Sequence, residues 1–158
     1  MVNFWLIAGK VENLELLPST RCWAFSKPDP EQSEKFYRFW AMMREGDHVL
    51  LQAIKWENGW RFIGVIGFAK VLSRYYDDKV LIWPDELKEN KCMYPYKVEF
   101  STIVMLSPKL WERLGPKHRI ILPEERYVKG IGLGILEPKE FYEMVDRIKE
   151  TWNVIIIL

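Results

Sequence analysis

A chain of 158 residues that is 49% hydrophobic and 15% aromatic has enough apolar material to bury its own core, so one domain is expected over residues 1–158. Its 23 basic and 22 acidic residues leave a formal charge of +1, which excludes a polycation that coats nucleic acid indiscriminately. Cys22, Cys92, His48 and His118 are too few and too scattered for a zinc site, so neither metal nor cofactor is expected.

The first residues lack the basic region, apolar run and small-residue cleavage site of a signal peptide, and no stretch of about 20 apolar residues occurs. A soluble, cytoplasmic protein with no membrane partner is the expectation. Abundant Lys, Glu, Arg, Trp and Tyr with few Gln suit a thermophile.

Asn3 to Ala8 is an apolar run suited to a buried strand, and Val11, Leu14 and Leu17 have helical spacing before Pro18 stops them. Cys22 to Phe25 predicts a second strand, followed by a loop through Pro28 and Pro30, which cannot join a ladder. From Glu31 to Arg44, Phe36, Phe39, Trp40 and Met43 fall at three- and four-residue steps, a helix ending near Gly46. His48–Trp56 and Trp60–Ser73 flank Glu57-Asn58-Gly59 and predict an antiparallel hairpin, whose second arm carries Gly64 and Gly67 and should bend strongly.

Tyr94 to Met105 alternates well enough for another strand. Leu110 to Leu114 reads as one helical turn, Arg119 to Leu122 as a short strand, and Gly130, Gly132 and Gly134 as a glycine-rich segment. Pro138 opens a last helix with Phe141, Met144, Val145, Ile148 and Trp152 on one face. The terminal run Val154 to Leu158 either adds a strand or marks the N-terminal part of a longer chain. The order of elements is α+β: a small mixed β-barrel of about five to six strands with flanking helices.

Four features together resemble the PUA-like superfamily in its EVE and YTH branches. An apolar strand leads to Glu12-Asn13 and, ten residues after the Asn, to Trp23. Arg44-Glu45-Gly46-Asp47 resembles the turn before a strand in EVE proteins, and Phe62 to Gly67 is similar to the Gly-Val strand of both branches. Ile82-Trp83-Pro84 before Tyr94-Pro95-Tyr96-Lys97-Val98 resembles the second cage tryptophan and the strand after it.

The resemblance implies a non-enzymatic reader that takes a methylated base into an aromatic cage, N6-methyladenine first among the candidates. Similar domains begin archaeal McrB-type restriction proteins, so a downstream AAA+ GTPase domain and a modification-dependent restriction system are implied settings. Residue by residue, Trp23 and Trp83 match the cage tryptophans, Asn13 the amide at the base edge, and Ala24 a main-chain contact. A third wall falls among Cys92, Met93 and Tyr94.

Two indoles facing each other across a cavity open to solvent would stack on the base, while one buried methyl adds only about 0.8 kcal/mol. Hydrogen bonds must therefore supply discrimination, and the Asn13 amide both donates and accepts. Lys10, Arg21, Lys27, Arg126 and Lys129 are the candidate phosphate contacts. Against this stands the plainer reading, in which both tryptophans are barrel aromatics and Asn13 caps a helix.

Trp5, Trp40 and Trp111 are read as packing residues, and Trp56 and Trp60 as a cross-strand stack. Catalysis is not expected: Asp77-Asp78 and Glu124-Glu125 diverge as neighbours, and Gly130-x-Gly132-x-Gly134 lacks the context of a dinucleotide fingerprint. Two alternatives remain: a general RNA-binding PUA-like module indifferent to methylation, or a protein-interaction domain that uses the apolar tail.

Overall fold

Seven strands form one curled mixed sheet in the computed structural model, which describes residues 1–56, 60–106, 120, 132–152 and 156–157, with 56, 60–63, 156 and 157 by backbone alone. The chain runs β1 (Phe4–Lys10), α1 (Val11–Leu14), α2 (Leu17–Thr20), β2 (Cys22–Phe25), α3 (Ser33–Met42), β3 (His48–Trp56) and β4 (Trp60–Tyr76). It continues through α4 (Pro84–Glu89), β5 (Tyr96–Met105), β6 (Leu133–Ile135), α5 (Pro138–Thr151) and β7 (Ile156–Ile157). The strand order is β2-β5-β4-β3-β1-β6, with β7 on β5; β1 and β3 are parallel and every other pair is antiparallel. The class is therefore α+β, with β2 and β6 at the two ends of the sheet among the described residues.

The expected hairpin forms, with Trp56 paired to Trp60; the turn residues 57–59 and the two indole side chains lie outside the description. Its second arm bends as Gly64 and Gly67 suggested, because Ile63 and Ile66 are extra residues at two breaks in register. Gly64 adopts φ +133, and a Cβ there would stand 2.8 Å from the Ile120 carbonyl oxygen. That close approach is used, since the Val65 amide donates to the same oxygen at 2.7 Å.

Phe36 and Phe39 from α3, Met43 just after it, and Phe141, Met144, Val145 and Ile148 from α5 are buried, on the apolar faces the sequence pattern assigned. Trp5 joins this core, as expected, and its indole N–H donates to Asp47 Oδ2 at 2.9 Å. Asp47 also accepts from the backbone N–H of Asn3 and Arg44, so one fully buried carboxylate locks the start of β1 to the turn before β3.

Several boundaries differ from expectation for identifiable reasons. Pro18 lies in the first turn of a second short helix instead of ending one helix over Val11–Leu17, because a missing N–H costs nothing there. β5 starts at Tyr96 rather than Tyr94; Pro95 has no N–H to give a ladder, and the N–H groups of Met93 and Tyr94 are bound to Glu86. β4 runs past Ser73 to Tyr76, where it still pairs with Tyr96.

The expected strand Arg119–Leu122 is represented among the described residues by Ile120 alone, bridged to Val65, while Leu110–Leu114 and Trp111 lie outside them. β6 and α4 were not anticipated. Ile156–Ile157 pairs with Val104–Met105, so two residues of the terminal run add a strand, one of the two readings given for it.

Candidate binding site around Trp23 and Trp83

The chain brings the key residues together from four separate elements. Asn13 sits on α1 directly after β1, Trp23 on β2, Trp83 just ahead of α4, and Tyr94 just ahead of β5. Trp23 and Trp83 meet edge to face, with centroids 6.1 Å apart and an interplanar angle of 71°. Tyr94 closes on the other ring, its centroid 5.5 Å from that of Trp83 at 85°. Gly9 makes room for Trp23: a Cβ on Gly9 would lie 2.4 Å from Cη2 and 2.5 Å from Cζ2 of that indole.

This geometry corrects one expectation. The two indoles do not face each other across an open cavity; Trp23 is 6% exposed, Trp83 2%, and each is packed. Ring quadrupoles favour an edge on a face over two parallel faces, and the pair adopts that arrangement.

Glu86 builds the wall that carries Trp83 and Tyr94. Its side chain is fully buried, and Oε1 accepts from the N–H of Ile82 and Trp83 while Oε2 accepts from the N–H of Met93 and Tyr94. Burial alone would raise its pKa, but the four backbone donors outweigh it and hold the carboxyl below its usual range. The Ile82-Trp83 and Met93-Tyr94 segments are thus pinned to one anion. Lys97, also buried, donates to the carbonyls of Asp77 and Tyr94 at 2.9 and 2.8 Å and places its ammonium 5.8 Å from the Trp83 ring centre.

A polar chain runs inward from the surface. The Lys10 ammonium lies 3.8 Å from Asp85 Oδ2, and the Tyr94 hydroxyl donates to that same oxygen. Burial and then the Asp85 carboxylate push the Tyr94 phenol well up. At the inner end, Asn13 Oδ1, Trp23 Nε1 and Trp83 Nε1 are buried without a hydrogen-bond partner among the described residues. Trp40 Nε1 and the Gln52 amide share that state; the two indoles of Trp23 and Trp83 differ in being packed edge to face on one another, with Tyr94 against Trp83.

Of the other expected site residues, Ala24 is buried beside Trp83 and Cys22, on the edge strand β2. Of Cys92, Met93 and Tyr94, Tyr94 is the one whose ring packs on Trp83, while Met93 is 36% exposed and the Cys92 thiol is directed to the Asp77 carbonyl. Lys10 is engaged by Asp85, and the Arg21 guanidinium donates to the Ser101 carbonyl. Lys27 is exposed just beyond β2; Arg126 and Lys129 lie outside the described residues.

Glu86, Asp85 and Lys97 were not singled out from the sequence as site residues. Pro84 followed by Asp85 and Glu86 is the signal that could have marked the start of a helix. Among the described residues no helix is long and apolar enough to cross a membrane.

No family model matches the chain. Over 163 residues, spanning 99% of this chain and 97% of the relative, it is 26% identical to an uncharacterized protein of Methanocaldococcus jannaschii. A UPF0310 protein of Saccharolobus solfataricus is 26% identical over 105 residues, 66% of this chain and 63% of that protein. A Pseudomonas putida protein solved by crystallography has 13% sequence identity and a TM-score of 0.43, covering 91% of this chain and 98% of that one.

Proposed function

We propose that the chain is a cytoplasmic PUA-like domain of the EVE/YTH kind, and that it binds a methylated base of nucleic acid between Trp23, Trp83 and Tyr94 without catalysing a reaction. One observation carries this reading: two indole N–H groups, both buried and unpartnered, belong to one edge-to-face pair against which Tyr94 also packs. A buried polar group without a partner costs about 1–3 kcal/mol, so two on one aromatic pair mark where a flat polar ligand is worth most.

Binding needs the aromatic pair to part. A base with a ring on each side requires about 7–8 Å between planes, twice the best carbon–carbon separation. Trp23 is wedged against Gly9, whereas Trp83 lies outside the sheet, so Trp83 is the ring that swings. Giving up the edge-to-face contact costs about 0.5–1.5 kcal/mol. Stacking returns about 1–3 kcal/mol per aromatic, so the exchange favours the bound state.

The test is anisotropy titration with single-stranded oligonucleotides that differ by a single N6-methyl group, which avoids the few kcal/mol needed to flip a base from a duplex. Wild type should prefer the methylated strand by at least about fourfold, the worth of one buried methyl. Trp23→Ala should bind both alike. Equal affinity in wild type would sink the reading.

A further inference from the structure

Tyr96, the first residue of β5, is the hub of a second aromatic cluster. Its ring meets Tyr37 and Trp40 of α3 at centroid separations of 5.6 and 5.2 Å, and Tyr76, the last residue of β4, at 5.2 Å. All three contacts are edge to face, at 63°, 80° and 71°. The Tyr37 and Tyr96 hydroxyls share a hydrogen bond of 3.0 Å, and the fully buried Phe36 supports Tyr96 from within the core. Outward the cluster is open, with Tyr37 37% exposed and Tyr76 56%. The exposed Arg74 sets its guanidinium 4.9 Å from the Trp40 ring centre, and its Nε donates to the Met43 carbonyl.

Rings held by their neighbours lose little freedom when something stacks on them, and tyrosine, tryptophan and arginine are the residues that carry most binding energy at interfaces. A flat and anionic partner fits this set: bases stack on aromatic faces, and a guanidinium pairs with phosphate. The charges agree. Along α3 and the end of β4, Lys35, Arg38 and Arg74 stand against Glu34 and Asp77, and the Asp77 carboxylate is turned to the backbone N–H groups of Lys79 and Val80. Continuity with the first site agrees too. Phe25 and Tyr96 are ladder partners, and Trp23 lies two residues before Phe25 on the same side of β2, about 7 Å along the strand.

We infer that Tyr37, Tyr76, Tyr96 and Arg74 form a stacking platform for the bases next to the one held at Trp23 and Trp83, so that the occupant is single-stranded nucleic acid. The inference rests on the nucleic-acid part of the reading above and not on methylation. Such a platform raises affinity without choosing a sequence, because every base has a π-face.

The test compares two strands of equal length and charge with one central N6-methyladenine, one strand carrying ordinary bases on both sides and the other abasic residues there. Wild type should bind the strand with flanking bases at least about fivefold more tightly. Tyr37→Ala/Tyr76→Ala should bring that ratio to one or below, while Tyr37→Phe/Tyr76→Phe, which keeps the rings, should retain it. Arg74→Gln should lower the slope of log affinity against log salt by about 1 for both strands.

Equal binding of the two strands by wild type overturns the inference, and a preference for methylated over unmethylated adenine would then leave the modified-base reading standing. The reverse result, indifference to methylation with the flanking-base preference intact, removes that reading and supports the platform. The wild-type comparison stands even if a variant fails to fold. A patch that serves a protein partner instead leaves both strand affinities unchanged in folded Tyr37→Ala/Tyr76→Ala, which also overturns the inference.

Discussion

Gly9→Ala is the sharpest test of the packing that holds Trp23. The added methyl would sit 2.4 Å from Cη2 and 2.5 Å from Cζ2, whereas carbon atoms rest at about 3.5–4.0 Å. The indole must retreat by more than about 1 Å, and Trp83 stands against it at a 6.1 Å centroid separation. Overpacking of this kind costs about 1–3 kcal/mol, against which the entropy that alanine removes from the unfolded chain returns about 0.4–1 kcal/mol. A net loss near 1–2 kcal/mol lowers Tm by about 2–8 °C in a domain of this size. Thermal unfolding followed by circular dichroism and by tryptophan emission measures both stability and the indole environment. A Tm within 1 °C of wild type with unchanged emission would refute the proposed wedge.

Three further outcomes follow from the same contacts. Glu86→Gln keeps one acceptor oxygen but turns an NH2 towards two backbone N–H groups, so denaturant titration should show a loss of about 2–5 kcal/mol; a loss under 0.5 kcal/mol refutes the clamp. Because the folded state depresses the Glu86 pKa, its contribution is present above the ordinary value of 4.5 and disappears as pH falls through the folded value. Wild type should therefore lose its margin over Glu86→Gln below about pH 4.5, and a constant difference between pH 7 and pH 3 contradicts the assignment. Lys27→Ala should reduce the slope of log affinity against log salt by about 1 for methylated and unmethylated strands alike, and an unchanged slope removes Lys27 from the phosphate contacts.

The sheet and its two long helices were legible because they rest on local signals: the apolar run of β1, the Asn-Gly turn between β3 and β4, and the three- and four-residue spacing of α3 and α5. α4 has only six residues, too few to show a period, and β6 has three. The meeting of Trp23 and Trp83 was legible through the four motifs taken together, though no spacing along the chain places residue 83 beside residue 23. The angle between the rings was not, because it depends on Glu86 gathering Ile82-Trp83 and Met93-Tyr94 around one carboxylate. Such a clamp has no sequence signature: a glutamate in the first turn of a helix is ordinarily solvated.

Three acidic side chains account for buried polar groups, Asp47 beside Trp5 in the main core and Glu86 and Asp85 beside Trp83 and Tyr94. Asp47 and Glu86 each spend their acceptors on backbone or indole N–H groups and so fix where β1 and the two aromatic segments begin. Asp85 differs: it is part-exposed and near Lys10, its Oδ1 accepts from the backbone N–H of Glu86, and its Oδ2 takes the Tyr94 hydroxyl hydrogen. An asparagine there keeps an oxygen acceptor for one of these two donors and leaves no buried carboxylate unsatisfied, so Asp85→Asn should shift Tm by less than about 2–4 °C, the equivalent of 1 kcal/mol. A fall in Tm as large as that of Glu86→Gln would reverse that division of labour.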